Sequence, residues 1–392
     1  MPIARTAVIT GCGVVSPLGV GVSAFWEGLV AGHSAIRAIE GFDAADLVPG
    51  MAAEVDAAVA DEPDRAGGFA LLAAEEALGD AVLALADVDP ARLGVALGTT
   101  LGGMRIFEAW DAAVAAGSAR PADLPRVPYF GPAVRLAQVV GACGPVATPQ
   151  LACASGTHAV AIAAEWIRTG QADVVLAGGT DLLCRFVVAG FNCLRATAPA
   201  ARPFDRDREG LVLGEGAAVV VVESEDHARR RGGRVQARIL GTGAAGDAVH
   251  MTAPDREGRG AARAMQAALR AAGRTPGDVD FVSAHGTGTI YNDAMEAAAL
   301  GRVFAGRRVP VNSIKGAIGH TLGAAGAFEA VLCVQVLNAN VVPPTAGLLH
   351  PDPACAGLDL VYGAARAFDV ATVLSTSSGF AGANAALLLG RA

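Results

Sequence analysis

Short runs of Val, Ile, Leu and Ala, each ending in a burst of glycine and separated from the next by a helix-like stretch, constrain this chain most. Candidate strands are A-V-I-T from Ala7, L-G-V-A-L-G from Leu93, D-V-V-L-A-G-G from Asp173 and A-A-V-V-V-V-E from Ala217. R-V-Q-A-R-I-L-G from Arg234, V-D-F-V-S-A from Val279, V-P-V-N-S from Val309 and A-A-L-L-L-G from Ala385 follow. Most are apolar throughout, not alternating, so both faces of each strand should be covered, as in layered α/β sheets. Glycine at 50 of 392 residues concentrates where such strands run into tight loops. Helices are expected over Phe69–Leu85, Ala154–Arg168, Gly260–Ala272, Asp293–Phe304 and Gly326–Asn338. Each half of the chain runs from a strand through a glycine-rich loop and helices to a closing strand pair. The arginine-rich stretch Glu223–Arg234 marks the boundary, giving halves 1–233 and 234–392.

With 53% hydrophobic residues, the chain has ample material for a large core. A net charge of −8 argues against general affinity for nucleic acid or an anionic membrane. Arginines cluster at Arg202, Arg206 and Arg208, at Arg229–Arg231 with Arg234 and Arg238, and at Arg256, Arg259 and Arg263. Each cluster is either a solvated helix face or a local anion-docking patch. Seven cysteines, odd in number and without C-x-x-C spacing, fit a reduced cytoplasmic protein. Glu329 interrupts the best late apolar stretch, so no membrane span is expected.

Three signals carry chemistry. Lys315 is the only lysine among 29 arginines and stands five positions before His320 in N-S-I-K-G-A-I-G-H. A compact ammonium kept at one place implies a site where a guanidinium would not fit. Cys153, in L-A-C-A-S-G-T-H, precedes an Ala-rich helix whose N-terminal N–H groups should favour thiolate. His285, in A-H-G-T-G-T, follows a strand-like segment. One thiol and two imidazoles lack a fourth ligand with sensible zinc spacing. They suit thioester chemistry better, with sulfur accepting an acyl group and paired imidazole N–H groups stabilising an enolate.

The chain resembles a condensing enzyme of the thiolase superfamily, specifically a type II elongating β-ketoacyl-acyl-carrier-protein synthase. The motifs that carry the resemblance are G-C-G-V-V-S-P-L-G, A-C-A-S-G-T-H-A, A-R-P-F-D-R-D-R-E-G-L-V-L-G-E-G-A, D-A-V-H-M-T-A-P, A-H-G-T-G-T, N-S-I-K-G-A-I-G-H-T-L-G-A-A-G and S-G-F-A-G-A-N, in that order and nearly end to end.

It implies an α/β thiolase-like fold of two similar halves in five αβαβα layers, and decarboxylative Claisen condensation of a Cys153-bound acyl group with a malonyl thioester. His285 and His320 would support decarboxylation and carbon-carbon bond formation. Lys315 would organise the pair, with Glu296 as its carboxylate partner. Cys153 and Phe380 would supply an oxyanion hole, with Phe380 also the gate. Thr287 and Thr289 would contact the phosphopantetheine arm, with Thr252, in the mobile Asp247–Pro254 segment, also among the substrate-binding residues. Leu101 would line the acyl tunnel.

The resemblance also implies an acyl carrier protein as partner, bringing its own 4'-phosphopantetheine, with no resident cofactor or metal. A dimer follows too, with an identical or a chain-length-factor-like second subunit.

Other readings fit less well. A thiolase needs a second reactive cysteine where this chain has Ser377, Ser378 and Gly379, and an initiating synthase has asparagine in place of His320. A chain-length factor acting as structural partner shares the fold but lacks the nucleophile. G-T-G-A-A-G at Gly241–Gly246 is dinucleotide-like, but no helix opens directly after it. Two departures from the fatty-acid enzymes stand out: Ala381 and Ala383 replace glycine and threonine at the gate, and D-E-P-D-R at 61–65 stands where basic docking residues are common.

Overall fold

A computed structural model describes residues 5–56, 59, 64–120 and 127–392, so residues 61–63 of the D-E-P-D-R stretch lie outside it. Along the main sheet, the first half contributes β1 (Ala7–Ser16), β2 (Leu93–Gly98), β3 (Val146–Ala147), β4 (Val174–Asp181) and β5 (Gly216–Ser224). The second contributes β6 (Ala237–Gly246), β7 (Phe281–Ser283), β8 (Pro310–Asn312), β9 (Asp359–Leu360), β10 (Thr372–Gly379) and β11 (Ala383–Arg391). Side by side they run β9-β8-β7-β10-β11-β6-β1-β5-β4-β2-β3.

Each half repeats one pattern. β1 pairs antiparallel with β5, which pairs antiparallel with β4, and β4, β2 and β3 are parallel. In the same way β6 pairs antiparallel with β11, which pairs antiparallel with β10, and β10, β7, β8 and β9 are parallel. The halves meet edge to edge where Val8 and Ile9 pair with Arg238 and Ala237.

Seven helices place the layers: α1 (Arg65–Asp80), α2 (Gly131–Val140), α3 (Ser155–Arg168), α4 (Arg185–Cys193), α5 (Arg259–Ala271), α6 (Ile290–Phe304) and α7 (Ala325–Ala339). α1 packs on β1 and β5 with α2 beside it, and α5 packs on β6 and β11 with α6 beside it. Between the two halves of this sheet α3 lies on β2 and β4, touching α7, which lies on β10. This is the expected five-layer αβαβα arrangement. The central helix α7 is buried all round, so it carries no apolar stripe.

Close helix-on-strand packing repeats in the two halves. A Cβ on Gly11 or Gly13 of β1 would lie 2.1 Å from Ala77 O or 1.9 Å from Ala73 O of α1. A Cβ on Gly241 or Gly243 of β6 would lie 2.2 Å from Ala268 O or 2.1 Å from Ala264 O of α5. The strand register also shifts at matching points, between Ile9 and Gly11 and between Ile239 and Gly241. The first two glycines of the dinucleotide-like G-T-G-A-A-G are therefore the seats of a packed helix.

The segment Leu322–Ala339, which includes Glu329, is by length and composition alone comparable to a membrane-crossing helix. Of its residues, 83% are buried within the protein, and it serves as a core helix.

Candidate active site

Cys153 is delivered by a strained turn. Ala152 has φ 49°, a left-handed conformation that costs an alanine about 1–2 kcal/mol. The Ser155 hydroxyl donates to Ala152 O at 2.6 Å, and the Leu151 N–H donates to that hydroxyl at 2.9 Å, which fixes the turn just before α3. Gly379 lies against it: a Cβ there would fall 3.1 Å from Cys153 N and 2.8 Å from Leu151 O. The backbone of Phe380 is thus held beside that of Cys153, and its ring stacks on Phe191 of α4 at 5.6 Å between centroids.

Both histidines come from the second half. His320 follows a turn through Gly319 (φ 67°), its N–H donating to Val212 O at 2.7 Å. Its Nε2 is 3.0 Å from Cys153 Sγ, and the His285 ring stands edge-on to it, with centroids 5.2 Å apart. The Leu322 N–H donates to His320 Nδ1 at 3.3 Å, so that nitrogen is an acceptor and Nε2 carries the proton. His285 Nδ1 is buried without a partner. A buried lone pair there is less costly than an orphaned N–H, which again leaves the proton on Nε2. Burial first, and then the charge of Lys315, push both histidine pKa values well below the usual imidazole value. The site therefore holds two neutral rings, each with one N–H donor.

Cys153 corrects one expectation. Burial pushes its thiol up to about 12, against the opposing pull of Lys315. A helix terminus supplies at most about 2 kcal/mol in the opposite sense, which does not offset the burial. The resting nucleophile is a thiol that must lose its proton as it reacts.

Lys315 corrects another. Its ammonium meets Glu329 Oε1 at 2.5 Å, with both groups buried, and not Glu296. Glu329 Oε2 accepts from the Ser377 hydroxyl at 3.1 Å, and Ser377 shares a hydrogen bond with Thr157 at 2.8 Å. Glu296 instead clamps the histidine loop. It accepts the N–H groups of His285 and Gly286 at 2.7 and 2.8 Å and the Thr376 hydroxyl at 2.8 Å. Burial raises its pKa, with those donors opposing.

A cavity of about 330 Å³ reaches Cys153, His285 and His320 and is walled by Phe380, Thr287, Thr289 and Thr252. The Thr287 and Thr289 hydroxyls are 2.9 Å apart, and Thr289 also caps α6. Leu101 does not line this cavity. It is packed with Leu182, Val187, Val188 and Leu322, and its N–H donates to Asp181 at 2.9 Å. Sequence reasoning missed Asp181, whose buried carboxylate also accepts the Gly323 N–H at 2.6 Å and so ties the Leu101 turn to the loop after His320.

The Cys153, His285 and His320 donor atoms lie within 4.8 Å of one another, close enough for three ligands of one metal ion. The Lys315 charge, which already disfavours a second positive charge on either ring, disfavours a divalent cation as well. The set is better suited to holding an oxyanion.

Comparison with known proteins agrees with this geometry. Residues 4–228 match the beta-ketoacyl synthase N-terminal domain and residues 236–349 its C-terminal domain. The tetracenomycin polyketide synthase ketoacyl synthase alpha subunit of Streptomyces glaucescens is 42% identical over 99% of this chain and 97% of its own length. The 3-oxoacyl-[acyl-carrier-protein] synthase 2 of Coxiella burnetii is 39% identical over 99% of both chains. The solved ishigamide ketosynthase/chain length factor superposes with a TM-score of 0.94 at 36% identity, over 99% of this chain and 100% of that one. Two matched domains spanning most of the sequence, on a thiol flanked by two neutral imidazoles, place this chain in the β-ketoacyl synthase family of condensing acyltransferases.

Proposed function

We propose that this chain extends a Cys153-bound acyl group by two carbons, using a malonyl unit carried by an acyl carrier protein, in fatty-acid or type II polyketide assembly. The observation that carries the reading is the 3.0 Å approach of His320 Nε2 to Cys153 Sγ with His285 beside it in one cavity.

In the first half-reaction the Cys153 sulfur attacks the carbonyl of an acyl thioester. The tetrahedral oxyanion is received by the backbone N–H groups of Cys153 and Phe380, and the pantetheine thiol leaves with the proton that Cys153 gives up. In the second, a malonyl thioester binds with its carbonyl oxygen toward the two Nε2–H donors. Loss of carbon dioxide leaves an enolate whose charge those donors share, and its carbon attacks the acyl-Cys153 carbonyl to expel the sulfur as a thiolate, which takes up a proton from water to restore the thiol. Neutral rings suit this role, since they stabilise charge as it develops without binding a resting anion. Glu296 and the Lys315–Glu329 pair position the rings and the loop that bears them.

The 4'-phosphopantetheine arrives on the carrier protein, and Thr287, Thr289 and Thr252 wall the passage it would use. A second subunit of the same fold, identical or of chain-length-factor type, would cover the exposed apolar side chains Phe130, Val139 and Val146 beside edge strand β3. Seven free thiols suit the reducing cytoplasm. Mass spectrometry after incubation with acyl carrier protein tests the core of the reading. An acyl adduct on Cys153 is expected, and an adduct that persists in Cys153→Ala would overturn it.

A further inference from the structure

Of the eleven arginines in the three sequence clusters, six are ion-paired, Arg206 with its neighbour Asp207 among them. Arg208 bonds Asp352, Arg231 bonds Glu223, Arg229 and Arg238 share Glu225, and Arg259 bonds Asp255. Arg256 differs. The carboxylates on either side of it in sequence are already engaged, Asp255 by Arg259 at 2.7 Å and Glu257 by Arg302 at 2.9 Å. Among the described residues Arg256 has no ion pair. Its exposed guanidinium instead lies over the Tyr291 ring, 5.2 Å from the centroid.

Tyr291 belongs to the first turn of α6 and lines the cavity that ends at Cys153, His285 and His320. The ring therefore holds a charged, forked donor just behind the cavity wall, which itself carries Arg195. A guanidinium stacked on an aromatic face keeps its in-plane N–H groups free, in a geometry that matches a phosphate. Two carboxylates share the cavity wall. Asp247 is engaged by Asn384 Nδ2 at 2.8 Å and the Asp255 N–H at 3.0 Å, and Glu209 is exposed, where water and salt weaken its repulsion.

We propose that Arg256, braced by Tyr291, binds the phosphodiester of the phosphopantetheine arm as the arm enters the cavity. This rests on the condensation reading above and assigns to one arginine the discrimination between phosphorylated and phosphate-free arms. It is a binding role, remote from the bonds that change.

The experiment compares acylation of Cys153 by an acyl-phosphopantetheine thioester and by the matching acyl-pantetheine thioester, in the parent and in Arg256→Gln, Tyr291→Phe and Tyr291→Ala. The parent should prefer the phosphorylated donor by roughly tenfold in kcat/KM, the size of one charge-assisted contact at an exposed site. Arg256→Gln should abolish that preference, Tyr291→Phe should keep it because the ring face is intact, and Tyr291→Ala should reduce it. Retention of the full preference in Arg256→Gln overturns the assignment. So does a loss confined to acyl carrier protein as donor, which would place the arginine on the carrier's acidic surface instead. Failure of both small thioesters and of the carrier to acylate the parent would refute the condensation reading itself, a result distinct from either.

Discussion

Glu329→Gln tests the buried ion pair behind the two histidines. The substitution keeps the side chain's size and removes its charge, leaving the Lys315 ammonium, 1% exposed, without the carboxylate that stood 2.5 Å away. Stranding one member of such a pair costs about 3–5 kcal/mol. The ceiling comes from an independent argument, because the lysine can escape by shedding its proton. Moving an ordinary lysine from about 10.4 to neutrality at pH 7 takes 3.4 units, or roughly 5 kcal/mol. At pH 9 the same escape takes about 2 kcal/mol. Urea unfolding followed by circular dichroism should therefore show Glu329→Gln destabilised by up to about 3–5 kcal/mol at pH 7 and by about 2 kcal/mol at pH 9. The double variant Lys315→Met, Glu329→Leu, which removes both charges, should return to within about 1 kcal/mol of the parent. Burial pushes Glu329 up to about 7, with Lys315 and Ser377 pulling it back, so the loss of about 3–5 kcal/mol is that of the fully ionised pair and the upper bound at pH 7. A carboxyl already protonated at pH 7 would make the glutamine variant nearly as stable as the parent, and that result would refute the charged-pair account.

Three further outcomes follow from the same geometry. His320→Ala removes one of the two N–H donors but neither the Cys153 nor the Phe380 backbone, so acyl transfer should survive while carbon dioxide release falls by about 10²–10³; unchanged release would exclude the enolate role. Lys315→Arg keeps the charge but forces a larger head into a buried site. It should lower stability by about 1–3 kcal/mol and impair condensation, and full activity would mean the single lysine has no steric cause. Because both imidazoles have depressed folded-state pKa values, the unfolded chain takes up protons first as pH falls through about 6.5, and stability present above that pH is lost below it. Unfolding midpoints at pH 7 and 5.5 should show about 2–3 kcal/mol less acid loss in His285→Gln, His320→Gln than in the parent; an equal loss in both would show that the rings are not held neutral.

Much of the fold was legible because the signal was local. Five expected helices each lie within a few residues of an observed one, and the eight apolar runs all fall on strands. The strand that was missed, Thr372–Gly379, reads T-V-L-S-T-S-S-G, and its hydroxyls disguise it as a loop. Their burial is explained only in three dimensions, where Thr376 meets Glu296 and Ser377 meets Glu329. The two-residue strands β3 and β9 at the sheet edges are too short to leave a pattern.

The two carboxylates mark the limit of reading chemistry from spacing. Glu296 lies eleven positions after His285 and was assigned to the lysine, whereas Glu329 was noticed only as an interruption in an apolar run. A carboxylate on an otherwise apolar helix needs a partner, because leaving a charge buried alone costs several kcal/mol. That rule already pointed from Glu329 to a buried cation, and the chain has only one lysine. Glu296 answers a different need. The backbone N–H groups of His285 and Gly286 turn inward where the strand ends and must find acceptors. One acid thus neutralises the site's charge while the other shapes its loop, and exchanging their roles would leave both the ammonium and the loop amides unpaired. On this basis Lys315 acts on the histidines through its field, held at a fixed distance by Glu329, and the spacing in N-S-I-K-G-A-I-G-H sets that distance.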